Sequence, residues 1–110
     1  MVAGQRVRPK PRFALQFDAR ALAEWRKLDR RIQSQFKKKL SRLVSGEETP
    51  SPRTMVSGLP PGYYKIKQRS SGYRLVYRYE DENLVVIVIA VGKRNRNIVY
   101  DIARSRVGKR

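Results

Sequence analysis

The sequence predicts an α+β domain: an antiparallel β-sheet core with an N-terminal helical hairpin and a C-terminal helix, ordered β-α-α-β-β-β-α. Three observations predict it. Two segments with apolar residues three and four apart occupy the first half, three β-rich runs separated by short turns follow, and one more apolar-periodic segment closes the chain. The length of 110 residues suits one domain, and 40% apolar residues supply a single modest core.

Residues 1–12 carry Arg6, Arg8, Lys10 and Arg12 around Pro9 and Pro11 with little to bury, which reads as a flexible basic arm before a domain at 13–110. Phe13, Leu15 and Phe17 alternate as on a half-buried strand, although the pattern does not say whether that strand joins the sheet. Asp18 is placed to cap a short helix with Leu22, Trp25 and Leu28 on one side. Asp29 caps a second, whose stripe of Ile32, Phe36, Leu40, Leu43 and Val44 lies opposite Arg30, Arg31, Lys37, Lys38 and Arg42. So short a join makes the two helices an antiparallel pair. Gly46 ends the second, and Pro50, Pro52, Pro60 and Pro61 make residues 46–62 a loop, pinned by Met55 and Leu59.

Residues 63–69 and 73–80 are predicted strands joined by Ser70-Ser71-Gly72, a tight hairpin signal. After the turn at Asp81-Glu82-Asn83, residues 84–91 form an unbroken, largely β-branched apolar run, as expected of a central strand covered on both faces. Gly92 is expected to end that strand, with Lys93, Arg94 and Arg96 just beyond it. Asn97 then caps a last helix with Ile98, Val99, Ile102 and Ala103 facing inward, followed by a basic tail.

Lys and Arg number 26 against 9 Asp and Glu, a formal charge of +17, and the chain has no His and no Cys. Such a surplus favours polyanionic partners, nucleic acid first, because each phosphate met by a cation releases counterions. An anionic membrane surface would need a helix with an apolar face to spare, and these helices need theirs for the core. No run of ~18 apolar residues and no signal-like stretch occurs, so the expected setting is soluble and cytoplasmic. Without Cys there is no disulfide framework or thiolate chemistry. Without His, the usual zinc ligands, the Ser-His and Cys-His pairs and the default neutral-pH base are missing. With no Gly-rich phosphate loop and no metal-ligand cluster, no cofactor is expected.

What remains is a basic constellation. Lys65, Lys67 and Arg69 stand at i, i+2 and i+4, so on a strand they share one face, with Tyr64, Ile66 and Gln68 on the other. Arg74, Val76 and Arg78 share a face of the next strand. If Arg74 joins the Lys65 face, the hairpin displays four cations on one patch, an unfavourable clustering that a bound polyanion relieves. Arg94 lies just past the third strand, and Tyr100 on the last helix can return to the same side. By spacing alone, the same residues also fit a solvated sheet face, ordinary surface arginines and a tyrosine at a core margin.

The segments ALAEWRKL (21–28), QFKKKL (35–40), YKIKQRSSGYRLVYRY (64–79) and VIAVGKRNRNIVY (88–100) resemble toxins of the RelE/ParE superfamily, specifically the RelE branch, over residues 13–104. The resemblance implies a RelE-like fold and the toxin of a type II toxin–antitoxin system. Such a toxin is a metal-independent endoribonuclease that enters the ribosomal A site and cuts the bound messenger. The ribose 2′-hydroxyl attacks the adjacent phosphodiester, leaving a 2′,3′-cyclic phosphate and a 5′-hydroxyl.

Carried onto this sequence, the family's active-site lysines fall on Lys65 and Lys67, its phosphate-binding arginines on Arg74 and Arg94, and its active-site tyrosine on Tyr100. Arg69, Lys93 and Arg96 become supporting substrate contacts. The implied partners are the ribosome (30S A site), messenger RNA and an acidic, RelB-like antitoxin, with a higher-order complex that binds operator DNA through the antitoxin. The basic leader before Phe13 and the Pro-rich loop 46–62 depart from the family pattern.

Free Lys and Tyr titrate near ~10, too high for a base at neutral pH, but crowded like charges disfavour an ammonium and so work in the needed direction. Which of Lys65, Lys67 and Tyr100 is the base stays open. The arginines are assigned electrostatic roles, since a guanidinium does not readily give up a proton. Two other functions remain to be separated from this one. One is a ParE-like toxin, a gyrase poison that lacks the five-residue set; the other is a non-catalytic basic protein that binds RNA or the ribosome.

Overall fold

The computed structural model describes residues 12–93 and 98–107, so Arg94, Arg96, Asn97 and the arm at 1–11 lie outside the described residues. The elements are β1 (Ala14–Phe17), α1 (Ala19–Arg26), α2 (Arg30–Ser45), a single 3-10 turn at Pro52–Thr54, β2 (Tyr63–Gln68), β3 (Tyr73–Glu80), β4 (Val85–Lys93) and α3 (Ile98–Val107). Their order is the predicted one.

Both aspartates start helices. Asp18 accepts from the Arg20 backbone N–H at 2.9 Å, and Asp29 from that of Arg31 at 3.3 Å. The Asp18 carboxylate also takes the Arg20 guanidinium at 2.9 Å, and chiefly this hydrogen bond lowers its pKa to about 2. α1 stops at Arg26, before Leu28. α2 ends at Gly46, whose φ of 85° is the left-handed conformation a side chain resists and whose N–H returns to the Leu43 carbonyl.

The sheet order is β1-β4-β3-β2. β2, β3 and β4 form the expected antiparallel meander, while β1 joins β4 in parallel, from Ala14↔Val85 to Phe17↔Val88, making the sheet mixed. Just before β1, Phe13 is buried and stacks 4.9 Å from Tyr79, and at the end of the strand Phe17 leans on Trp25 at 5.5 Å. Leu15 between them is exposed, at the mouth of a groove with Leu40 and Val44 that α2 does not close.

β4 reconciles its unbroken apolar run with strand alternation through a bulge. Val76 pairs with Ala90 but Tyr77 with Val88, which leaves Ile89 as an extra residue. Val86, Val88 and Val91 therefore pack into the core under the helical hairpin, with Trp25, Phe36, Leu40, Leu75 and Tyr77. Ile89 and Ala90 both pack into a second core under α3, with Val56, Tyr63, Val76, Val99 and Ala103. Both faces are covered, as expected of β4.

Three local expectations change. Gly92 does not end β4, which runs to Lys93 with Gly92 paired opposite Arg74. A Cβ at Gly92 would sit 4.0 Å from Val99, so the glycine marks the approach of α3 rather than a break. Met55 ties the loop through its backbone, in a single antiparallel bridge to Tyr64, but its side chain is exposed; the apolar anchors are Val56, whose N–H donates to the Tyr63 carbonyl at 3.1 Å, and Leu59. Ile98, on the first turn of α3, is exposed.

Candidate active site

β2 is an edge strand, and its alternation places Lys65 and Lys67 on the face that α3 covers. The register carries the row inward: Lys65 opposite Val76, Lys67 opposite Arg74, and Arg74 opposite Gly92. The structure thus brings Lys65, Lys67 and Arg74 onto one face. α3 adds Tyr100 to it, with the Lys65 Nζ 5.7 Å from the centre of the phenol ring. Together with Val56, Ser57 and Arg104, Lys65 and Tyr100 line a cleft of about 320 Å³.

The burial of these cations is graded. Lys67 is exposed, Lys65 is half-buried, and Arg74 retains only 9% of its accessible surface, with one guanidinium nitrogen donating to the Tyr73 carbonyl at 3.2 Å. Desolvating a guanidinium is costly unless an anion compensates it. Among the described residues, no carboxylate lies within 4.0 Å of the charged atoms of Lys65, Arg69, Arg74 or Lys93. The ion pairs instead join Asp18 to Arg20, Glu48 to Lys39 and Arg42, Glu80 to Arg78, Asp101 to Arg104 and Glu24 to Arg106. None of these pairs neutralises Lys65 or Arg74, although Asp101 holds Arg104 at the cleft and Glu48 holds Lys39 at the neighbouring groove, so positive potential stays at those two cations for an incoming anion.

The remaining expected contacts are spread around the cleft. β2 ends at Gln68, so Arg69 stands in the hairpin turn, exposed, on a groove of about 500 Å³ that it shares with Lys39, Lys65 and Lys67. Lys93 pairs opposite Tyr73 and holds its Nζ 5.9 Å from that ring. Tyr73 packs toward the hairpin core, so Lys93 lies on the opposite sheet face from Lys65, Lys67 and Arg74, at the same end of the strands. Arg78, farther along the row, is occupied by Glu80 at 2.7 Å and by the Tyr63 ring.

Two residues of this neighbourhood were not singled out in the sequence. Arg104 was legible: it stands four residues after Tyr100, one helical turn on, and so shares its face. Lys39 was not, because only the packing of α2 beside the β2 edge brings it to the groove. Among the described residues no three His, Cys, Asp or Glu side chains gather as a metal site, and no helix is long and apolar enough to cross a membrane.

Residues 15–98 match a family described as the ParE toxin of type II toxin–antitoxin systems. The mRNA interferase toxin RelE of Escherichia coli K12 is 50% identical over 97 residues, covering 86% of this chain and 97% of its own. Among solved structures, a mutant of E. coli RelE in the free state superposes with a TM-score of 0.74 at 47% identity, covering 86% of this chain and 97% of that one. The intact E. coli RelBE toxin–antitoxin complex gives 0.67 at 49% identity, covering 76% of this chain and 99% of that one.

Proposed function

Because the chain belongs to the ParE toxin family of type II toxin–antitoxin systems, we propose that it is an endoribonuclease of the RelE kind, a toxin that stops translation by cutting messenger RNA in the ribosomal A site. The observation that carries the reading is the shared face of Lys65, Lys67 and Arg74, free of acidic neighbours at Lys65 and Arg74, with Tyr100 beside Lys65. It joins the likeness to a relative named as an mRNA interferase.

The chemistry is an internal transfer. The ribose 2′-oxygen attacks the adjacent phosphorus, a new O2′–P bond forms, and the P–O5′ bond breaks. The 2′-hydroxyl proton goes to a base and a proton returns to the departing 5′-oxygen, leaving a 2′,3′-cyclic phosphate and a 5′-hydroxyl. Lys65 or Lys67 takes the first proton, with the Tyr100 hydroxyl orienting the 2′-OH. Arg74 holds the phosphate, whose added charge in the pentacoordinate transition state is stabilised by cations already in place. Arg94 acts on the same charge at the leaving oxygen. Arg69, Lys93 and Arg96 contact the flanking messenger.

RNA free in solution seldom adopts the in-line geometry, so a ribosome that holds the messenger bent supplies the missing orientation. The solved RelBE complex pairs the E. coli toxin with its antitoxin. An acidic, RelB-like antitoxin for this chain would neutralise the basic face, within a larger complex that reaches operator DNA through the antitoxin.

The test maps messenger 5′ ends on programmed ribosomes with and without the protein. The expected result is ribosome-dependent cuts in the A-site codon bearing 5′-hydroxyl ends, reduced about 100-fold or more by Lys65→Ala or Lys67→Ala. Wild-type rates in both variants refute the assignment. Growth arrest with intact messenger would instead favour a ParE-like activity, and ribosome binding with neither effect a non-catalytic role.

A further inference from the structure

β1 pairs with β4 only as far as Val88, whose carbonyl accepts from the Asp18 N–H at 2.9 Å. Past that point β1 has left the edge of β4, just where the bulge at Ile89 disturbs the strand. A pair of side chains from opposite ends of the chain covers the opening. Glu24, on α1, accepts from the Val91 N–H at 3.1 Å with Oε1. Arg106, in the last turn of α3, donates to the Ile89 carbonyl at 2.9 Å and grips both oxygens of Glu24, at 3.0 and 2.7 Å. Four hydrogen bonds thus converge on a pair whose arginine side chain is only 11% exposed.

Arg106 sits on the second core's side of the sheet and Glu24 on the first core's, so the pair ties α1, β4 and α3 together around a strand edge. Sealing two backbone groups does not by itself require a charged pair, since water or a short polar side chain suffices at an edge. What the two-pronged pair adds is direction. A guanidinium held by both carboxylate oxygens fixes α3 along its axis and in rotation more closely than one bond does.

We propose that Glu24 and Arg106 are positioning residues for the cleavage reaction. Glu24 holds the end of β4 at Val91, two residues before Lys93, and through Arg106 it holds α3, which carries Tyr100. From Arg106 to Tyr100 is about 9 Å of one rigid helix, and α3 packs on β3 and β4 through Val99 and Ala103. The clasp therefore sets where the phenol stands relative to Lys65. The role rests on the nuclease reading, but its geometric content does not.

The experiment has two arms, both on the full chain. In the first, single-turnover cleavage on saturating programmed ribosomes is measured for Arg106→Gln and Glu24→Gln, each alone and combined with Tyr100→Phe. The clasp predicts about a tenfold loss of rate with little change in half-saturating ribosome concentration, since small misplacements of a reacting group are costly. It also predicts that Arg106→Gln costs under about twofold once the Tyr100 hydroxyl is gone, because residues acting through one group are not additive. A thermal melt run beside each variant separates this from general loosening, which would cost the same in either background.

The second arm needs no activity. Nuclear Overhauser contacts between the Lys65 side chain and the Tyr100 ring are expected to weaken in Arg106→Gln, and amide exchange at Val91 to quicken, with α2 unchanged. If those contacts and the exchange stay as in the parent, or if the rate losses simply add, the positioning role is overturned. A parent that cuts no messenger refutes the nuclease reading alone, and the second arm still decides the clasp.

Discussion

Arg74 is buried with no acidic partner among the described residues, and that combination ties its chemistry to its fold. Replacing it by Lys keeps the charge but loses the planar fork that meets a phosphate on two oxygens. Arg74→Lys is therefore expected to lower single-turnover cleavage about 100-fold, in the range of one lost transition-state donor. Its effect on the melting temperature should be small, and a near-wild-type rate would show that Arg74 only fills space. Lys65 and Lys67 were legible in sequence because strand alternation alone puts them on one face, whereas Arg74 joins that face through the register of the hairpin, which pairs it with Lys67. Tyr100 was legible only as a residue that could return to that side, and its place beside Lys65 comes from how the last helix packs across the sheet. Lys93 was harder still: the bulge at Ile89 changes the phase of β4, so counting residues through it misassigns its end.

At the scale of the element, the sequence announces helix starts well and strand partners poorly. Asp18, Asp29 and Gly46 each act within two or three residues of themselves, so their neighbours suffice to read them. The parallel seat of β1 on β4 depends on partners about seventy residues away, and no local pattern contains it. The turn before β4 has a residue at odds with its backbone: Leu84 holds φ 53° and is exposed. That conformation costs a branched side chain about 1 kcal/mol, and Asn bears it better. Leu84→Asn should raise the denaturant-derived stability by about 0.5–1 kcal/mol, and a loss would mean that the Leu84 side chain packs usefully after all. Asp18 gives the acid-side test. Its carboxyl is held at about 2, below the ~3.9 of an unfolded chain. Its charge therefore stabilises the fold fully above about pH 4, and this is lost as pH falls toward 2. Asp18→Asn keeps the capping oxygen but drops the pairing with Arg20. The melting-temperature gap between parent and variant should hold steady above about pH 5 and close near pH 2. A gap unchanged by pH would place the effect in the cap instead.

Across the whole molecule, the formal charge of +17 is distributed by function as well as by composition. The described ion pairs leave Lys65 and Arg74 without a carboxylate, even where Asp101 holds Arg104 in the same cleft, and the proposed reaction puts the scissile phosphate at those two cations. α2 presents a second basic surface, where Arg30, Arg31 and Lys38 line a shallow groove beyond the first core. A reaction at a single phosphate needs only a few cations, so the surplus belongs to capture of the larger polyanion. Capture and chemistry should then separate under salt. Each phosphate contact to single-stranded RNA contributes about −0.7 to the slope of log affinity against log salt, so six contacts give about −4. Removing two charges from α2, Arg31→Gln with Lys38→Gln, should make the slope for ribosome binding shallower by one to two and weaken binding at low salt. The cleavage rate on saturating ribosomes should stay within about twofold of the parent. Lys65→Ala should do the reverse, losing rate while nearly keeping the slope. Should the α2 pair abolish cutting at saturation, the division fails, and the reacting phosphate would be held by a far wider surface than the cleft between β2 and α3.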